Sequence, residues 1–136
     1  SGLRARLNWV LEDKFDGVIV AIGANDALRG ISPQITNNNI DIILKNLKTL
    51  NIPTMLIGMK APNNLGVEYV NSFNEIYPIL SKKYKTYFYP FFLSDVVLVP
   101  KLNQQDMIHP NKQGVNTIVR KIFPYVLEFI NSLEKS

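Results

Sequence analysis

The chain contains no cysteine, and that absence excludes the most. Disulfides, thiolate metal sites and cysteine nucleophiles are all ruled out, while the cellular compartment is left open. Histidine is nearly absent as well, with one residue, His109, in 136. One histidine, no cysteine and scattered carboxylates give no metal-ligand spacing, so no metal is expected. No glycine-rich phosphate loop occurs. The turn Gly23-Ala24-Asn25-Asp26 is not G-x-G-x-x-G, so a dinucleotide cofactor is disfavoured and no cofactor is expected. No apolar run is long enough to span a membrane as a helix. The net charge is +4, but its basic residues are scattered. Lys82, Lys83 and Lys85 form the only short cluster, without the arginine and aromatic interleaving of a nucleic-acid surface, so no nucleic-acid partner is expected.

What is present is ordinary for a globular chain: 46% hydrophobic and 19% charged residues, enough for one domain over 1–136 with its own core. Leu3, Leu7, Val10 and Leu11 recur at helical spacing, with Trp9 at the edge of that helix. The run Val18–Ile22 is β-branched and apolar, the pattern of a buried parallel strand, and it ends abruptly in Gly23-Ala24-Asn25-Asp26. A compact loop, Ala27-Leu28-Arg29-Gly30, follows. Ser32 and Pro33 then read as the N-cap and first position of a helix whose buried face is Ile35, Ile40, Ile43, Leu44 and Leu47. A second strand is expected from Thr54 to Met59, and a turn-rich loop from Lys60 to Gly66.

Tyr69, Val70, Phe73, Ile76, Tyr77 and Leu80 mark another amphipathic helix, with Pro78 predicting a break near Tyr77. Thr86 to Phe92 opens as a third strand that Pro90 ends. Leu93 to Leu102 is ambiguous, with room for a short helix. From Gly114 onward, Val115, Ile118, Val119, Ile122, Phe123, Val126, Leu127 and Ile130 describe a long final helix that Pro124 is expected to kink. The alternation of strand and helix predicts an α/β fold, a parallel sheet with helices on both faces.

In such sheets ligands bind beyond the carboxyl ends of strands, which draws attention to Asn25. Its amide, held by a tight glycine turn at a strand end, suits a donor to a developing oxyanion. Asn is also a turn residue in its own right, and alone that is the commoner explanation. Asp26 can cap the loop or hold Arg29. The second polar cluster is Asp106-Met107-Ile108-His109-Pro110. Pro110 disfavours helical geometry at His109, so a loop is expected. On it the Asp106 carboxylate can reach one imidazole nitrogen and leave the other free to take a proton from a nucleophile. An isolated Asp-x-x-His is more often an Asp turn beside a surface histidine. The expectation is that the two clusters meet in space.

Gly23-Ala24-Asn25-Asp26 and Asp106-Met107-Ile108-His109-Pro110, in this order on this pattern, resemble the G-x-N-D and D-x-x-H-P blocks of the SGNH, or GDSL-type, esterases and lipases. Ala27-Leu28-Arg29-Gly30, Ala61-Pro62-Asn63-Asn64-Leu65-Gly66 and Tyr69 through Pro78 resemble the thioesterase I / lysophospholipase L1 / arylesterase branch. The resemblance covers nearly the whole chain. It implies a three-layer α/β/α, flavodoxin-like fold and a serine-dependent ester hydrolase needing no cofactor. His109 would be the general base and Asp106 its orienting acid. Asn25 would donate to the oxyanion. Gly23, Ala24, Leu28, Arg29, Pro62 and Asn63 would border a small acyl ester or thioester.

The match has one gap. The Gly-Asp-Ser block that carries the nucleophile, and the later glycine loop, have no counterpart here. Ser1-Gly2-Leu3-Arg4-Ala5-Arg6-Leu7 resembles the segment after that loop, so the resemblance implies a domain without its first strand, first helix and second strand, the serine lying outside this chain. In the order 2-1-3-4-5 the strand Val18–Ile22 would then be a bare apolar edge, expected to be covered by the N-terminal segment or a second chain. A non-catalytic fragment or pseudo-enzyme that binds acyl or glycan ligands is the alternative; a carbohydrate acetylesterase of the same fold is a third reading. Members of the branch are often periplasmic or secreted.

Overall fold

The computed structural model describes residues 15–134; the expected helix carrying Leu3, Leu7, Trp9, Val10 and Leu11 lies outside them. Contacts group the described residues into two compact units, one ending at Pro90 and the other beginning at Phe91.

The first unit is built on a parallel sheet of three strands, β1 (Val18–Val20), β2 (Thr54–Ile57) and β3 (Tyr87–Tyr89), in the order β1-β2-β3. Val18 pairs with Thr54, and Met55 with Tyr87. All four residues of β2 are buried, as befits an apolar run in the centre of a sheet. Among the described residues β1 is an edge strand, and Ile19 on it is 45% exposed. The strands are shorter than the apolar runs that mark them, because Ala21, Ile22, Gly58 and Met59 continue each run past the last ladder pair.

Between β1 and β2 run a short helix, α1 (Ala24–Leu28), and a long one, α2 (Pro33–Thr49). Ser32 stands at the N-cap of α2 as expected, with Pro33 first in the helix, although the Ser32 side chain makes no capping bond; its carbonyl accepts from the amides of Ile35 and Thr36. The buried stripe is Thr36, Ile40, Ile43, Leu44 and Leu47. Ile35, expected on that face, is 53% exposed. Thr36 takes its place because it lies one turn before Ile40 and because its hydroxyl finds a carboxylate acceptor, which removes the penalty for burying it. Asn51, in the left-handed region at φ 56°, ends the helix, and the Ile52 amide returns to the Leu47 carbonyl.

The expected break near Pro78 falls at Glu75, between α3 (Val67–Asn74) and α4 (Ile76–Tyr84). Proline is tolerated in a first turn, where its missing amide has no helical partner, so the chain restarts its helix just before Pro78. Helices α2, α3 and α4 pack on one another, and α4 also packs on β2 and β3. Lys83 and Tyr84 of α4 both donate to the Asp41 carboxylate on α2, at 2.8 and 2.7 Å.

In the second unit a series of turns leads through a 3-10 turn, Pro100–Leu102, to a loop and then to α5 (Lys112–Leu133). Asn111 caps α5, its side-chain oxygen accepting from the Gly114 amide at 2.9 Å. A Cβ on Gly114 would come within 2.0 Å of the Leu102 carbonyl oxygen, so only glycine lets the helix approach the turn before it. The helix runs through Pro124 without ending. Pro124 is exposed, so the carbonyl it leaves unpaired one turn earlier is within reach of water. Gly114, Ile118 and Phe129 are buried, whereas Val115, Val119, Phe123, Leu127 and Ile130, expected on the buried face, are 43–58% exposed. The apolar arc is wider than the covered stripe; periodicity locates the arc but not its cover.

Candidate active site

The first cluster begins where β1 ends. Gly23 has φ 105° and ψ −13°, backbone geometry that a side chain strains to adopt. A Cβ there would also sit 1.9 Å from the Tyr77 hydroxyl oxygen. This glycine turns the chain from strand into α1, so Asn25 lies in the first turn of a short helix and not in the tight turn expected from the sequence. The Ala27 amide closes that turn onto the Gly23 carbonyl at 3.1 Å. Expected as loop, Ala27 and Leu28 are helical, and Ala27 is buried. The Asp26 carboxylate accepts from the Thr36 hydroxyl at 2.9 Å, tying α1 to α2; Asp26 forms no ion pair with Arg29 among the described residues.

Two tyrosines hold the ends of this segment. Tyr77, 1% exposed, donates its hydroxyl to the Ile22 carbonyl at 2.8 Å. Burial pushes its phenol far above the ordinary value, and the nearby Asp26 charge adds to the shift, so it remains a donor across the physiological range. Tyr69 donates to the Ile31 carbonyl at 2.5 Å, and its phenol is raised by the same two causes. The sequence marks Tyr69 and Tyr77 only as core positions. The available signal is their type: a phenol drawn wholly or partly out of water needs an acceptor, and here both find a main-chain carbonyl.

A cleft of about 270 Å³ opens beside the segment, bounded by Ile22, Gly23, Ala24 and Asn25 on one side and Asn39 and Ile40 of α2 on the other. It brings together three of the expected residues, Gly23, Ala24 and Asn25. Leu28 and Arg29, exposed beyond it, do not line it. Pro62 and Asn63 do not line it either; they lie after β2, where Asn63 opens a 3-10 turn and the Asn74 side chain accepts from the Ala61 amide at 2.8 Å.

The second cluster is the loop before α5. It is pinched by an isolated antiparallel bridge between Asn103 and Pro110, with the Gln104 amide on the His109 carbonyl at 2.8 Å and the Asn111 amide on the Leu102 carbonyl at 3.0 Å. Inside it Asp106 does two things at once. Its Oδ1 accepts from the amides of Ile108 and His109 at 2.9 and 3.0 Å, an Asp turn. Its Oδ2 lies 2.7 Å from His109 Nδ1. The two readings of Asp-x-x-His are therefore not exclusive: the turn places the carboxylate and the carboxylate holds the ring. The His109 contact and the two amides bring the Asp106 carboxyl down to about 2, so it is ionised at neutral pH. His109 Nε2 has no hydrogen-bond partner among the described residues and the side chain is exposed. No cluster of three or more His, Cys, Asp or Glu among the described residues could hold a metal ion. No helix among them is long and apolar enough to cross a membrane.

Comparisons with known proteins agree on one family. The sequence profile of the GDSL-like lipase/acylhydrolase family matches residues 1–116. The thioesterase 1/protease 1/lysophospholipase L1 of Escherichia coli K12 is 40% identical over 97 residues, covering 71% of this chain and 47% of that protein. The chain thus spans about half the length of that curated relative. Among solved structures, AlinE4, an SGNH-hydrolase family esterase, is 41% identical with a TM-score of 0.72, covering 92% of this chain and 68% of its own. The psychrotrophic esterase EstA from Pseudoalteromonas sp., inhibited by monoethylphosphonate, superposes with a TM-score of 0.88 at 27% identity, covering 96% of this chain and 72% of its own. The fold is the α/β/α arrangement of these SGNH-hydrolase esterases. With the profile matching most of its length, the chain belongs to the GDSL-like lipase/acylhydrolase family.

Proposed function

We propose that this chain supplies the acid–base pair and one oxyanion donor of a serine-dependent carboxylic-ester hydrolase acting on small acyl esters or thioesters. A serine outside these 136 residues attacks the carbonyl carbon while His109 Nε2 takes its proton. Asp106 fixes the ring tautomer and stabilises the imidazolium. The Asn25 side-chain amide donates to the oxygen on which charge develops. The tetrahedral intermediate collapses to an acyl-enzyme as the leaving group receives the proton from His109, and water repeats the cycle to free the acid. Gly23 and Ala24 border the acyl group, with Leu28, Arg29, Pro62 and Asn63 outside them. The segment bearing the serine, or a second chain, covers the β1 edge.

The observation that carries this reading is the 2.7 Å contact between Asp106 Oδ2 and His109 Nδ1 with Nε2 left unbonded. The alternative is a non-catalytic binder of acyl or glycan ligands. Hydrolysis of p-nitrophenyl acyl esters separates them. The natural protein that carries these residues should be active, His109→Ala should lower kcat by about 10² to 10⁴, and the 136-residue chain alone should be inactive. Undiminished turnover in the variant would overturn the base, turnover by the chain alone would overturn the external nucleophile, and an inactive parent would favour the binder.

A further inference from the structure

We infer that Tyr77 and Tyr69 are positioning residues for the Asn25 amide, gripping the segment that carries it by the main-chain carbonyls at its two ends. The inference rests on the proposed oxyanion role of Asn25.

The segment cannot hold its own shape. Helix α1 has five residues, and Gly23 at its N-cap brings no side-chain cap. A helix this short is not stable by itself. Its geometry is therefore imposed from outside, and the hydroxyls of Tyr77 and Tyr69 are placed to impose it. Tyr77 donates to the Ile22 carbonyl, just before the left-handed Gly23, at 2.8 Å. Tyr69 donates to the Ile31 carbonyl, just after the left-handed Gly30, at 2.5 Å. Both flexible joints of the segment thus have a phenol on the adjoining carbonyl.

The phenols are themselves fixed. Phe73 lies between them, its ring 6.1 Å from that of Tyr69 and 5.7 Å from that of Tyr77, and it is fully buried. Tyr77 also fills the space where a side chain at position 23 would stand. A donor that must meet developing charge without rearranging needs this kind of support, because preorganisation is what makes the donor effective. Thr36 on the Asp26 carboxylate adds a third restraint from α2.

Kinetics of the natural, serine-bearing protein test the inference. Tyr77→Phe should lower kcat about tenfold, part of what loss of an oxyanion donor costs, with KM changed less than about twofold. Affinity for an alkylboronic acid, whose adduct on the serine presents an oxyanion, should fall in parallel. Tyr69→Phe should lower kcat by about threefold, since it acts at the far end of the segment. Tyr84→Phe, which removes a phenol bonded to Asp41 instead, should leave kinetics unchanged. In an Asn25→Ala background, Tyr77→Phe should cost no further activity, because the group it orients is gone. A purely structural tyrosine would lower the unfolding midpoint and leave kcat, boronate affinity and this coupling untouched, which would overturn the inference. Should Tyr77→Phe fold poorly, Tyr69→Phe decides by the same readouts. An Asn25→Ala variant with full activity, or an inactive parent, would instead overturn the functional reading and the inference with it.

Discussion

The Asn25 segment and the Asp106–His109 loop are built in opposite ways. In the loop, the bonds that place the Asp106 carboxylate and the His109 ring join residues at most three apart: Asp106 to Ile108, to the His109 amide and to the His109 ring. In the segment, the side chains that hold the backbone come from far along the chain: Thr36 from ten positions away, Tyr69 from 38 and Tyr77 from 55. The loop is exposed and owes its form to its own sequence. The segment sits on buried side chains and owes its form to the packing of α2, α3 and α4. The general base proposed for the loop would suit the first design, and the oxyanion donor proposed for the segment the second.

This contrast is open to attack, most forcefully through the core. Phe73→Ala should destabilise the first unit by about 3–5 kcal/mol, the cost of a large buried side chain and its cavity. Urea unfolding measures it. Amide exchange should rise across residues 22–31 well before it rises in residues 103–111; equal loss of protection in both would erase the distinction.

Next in size is Gly23→Ala, expected to cost about 3 kcal/mol from the positive φ together with the collision with Tyr77. Combining it with Tyr77→Phe should recover only the steric part, because the backbone strain remains. Full recovery in a double-mutant cycle would show that conformation plays no role at this turn.

The smallest effect belongs to the loop. The folded Asp106 carboxyl lies at about 2, below its ordinary 3.8, so folding favours the ionised form. Its contribution is fully present above about pH 4 and is lost as the pH falls from about 4 to about 2. The group is exposed, so water screens the interaction and the effect is modest. Asp106→Asn should therefore match the parent in its unfolding midpoint near pH 2 and fall slightly below it near pH 5. A gap that stays constant across that range would mean that the carboxylate charge is not what the loop uses.

The same contrast explains what could be read from the sequence. Three parallel strands, the Ser32-Pro33 helix start, the break before Pro78 and the loop at Asp106 are local signals, and local signals were legible. Asn25 sits in a helical turn and not a tight one: Gly, Asn and Asp together read as a turn, while Ala27 and Leu28 tip the chain into a helical one. Ile35 gave way to Thr36 because burial there depends on the Asp26 carboxylate, which no periodicity reports. Tyr77 read as core and proved also to be a donor, since its acceptor lies 55 residues away. The exposed side of α5 differs from its apolar pattern for a related reason: an apolar arc shows what can be covered, not what is.

The bridge between Asn103 and Pro110 also carries a kinetic consequence. Closing so short a stretch costs little chain entropy and takes tens of nanoseconds to microseconds on general grounds. The imidazole and its carboxylate can therefore find each other early and repeatedly as the chain folds, whereas the Asn25 amide takes its final pose only after the distant tyrosines have docked. The His109–Asp106 pair is ready first, and the Asn25 amide last.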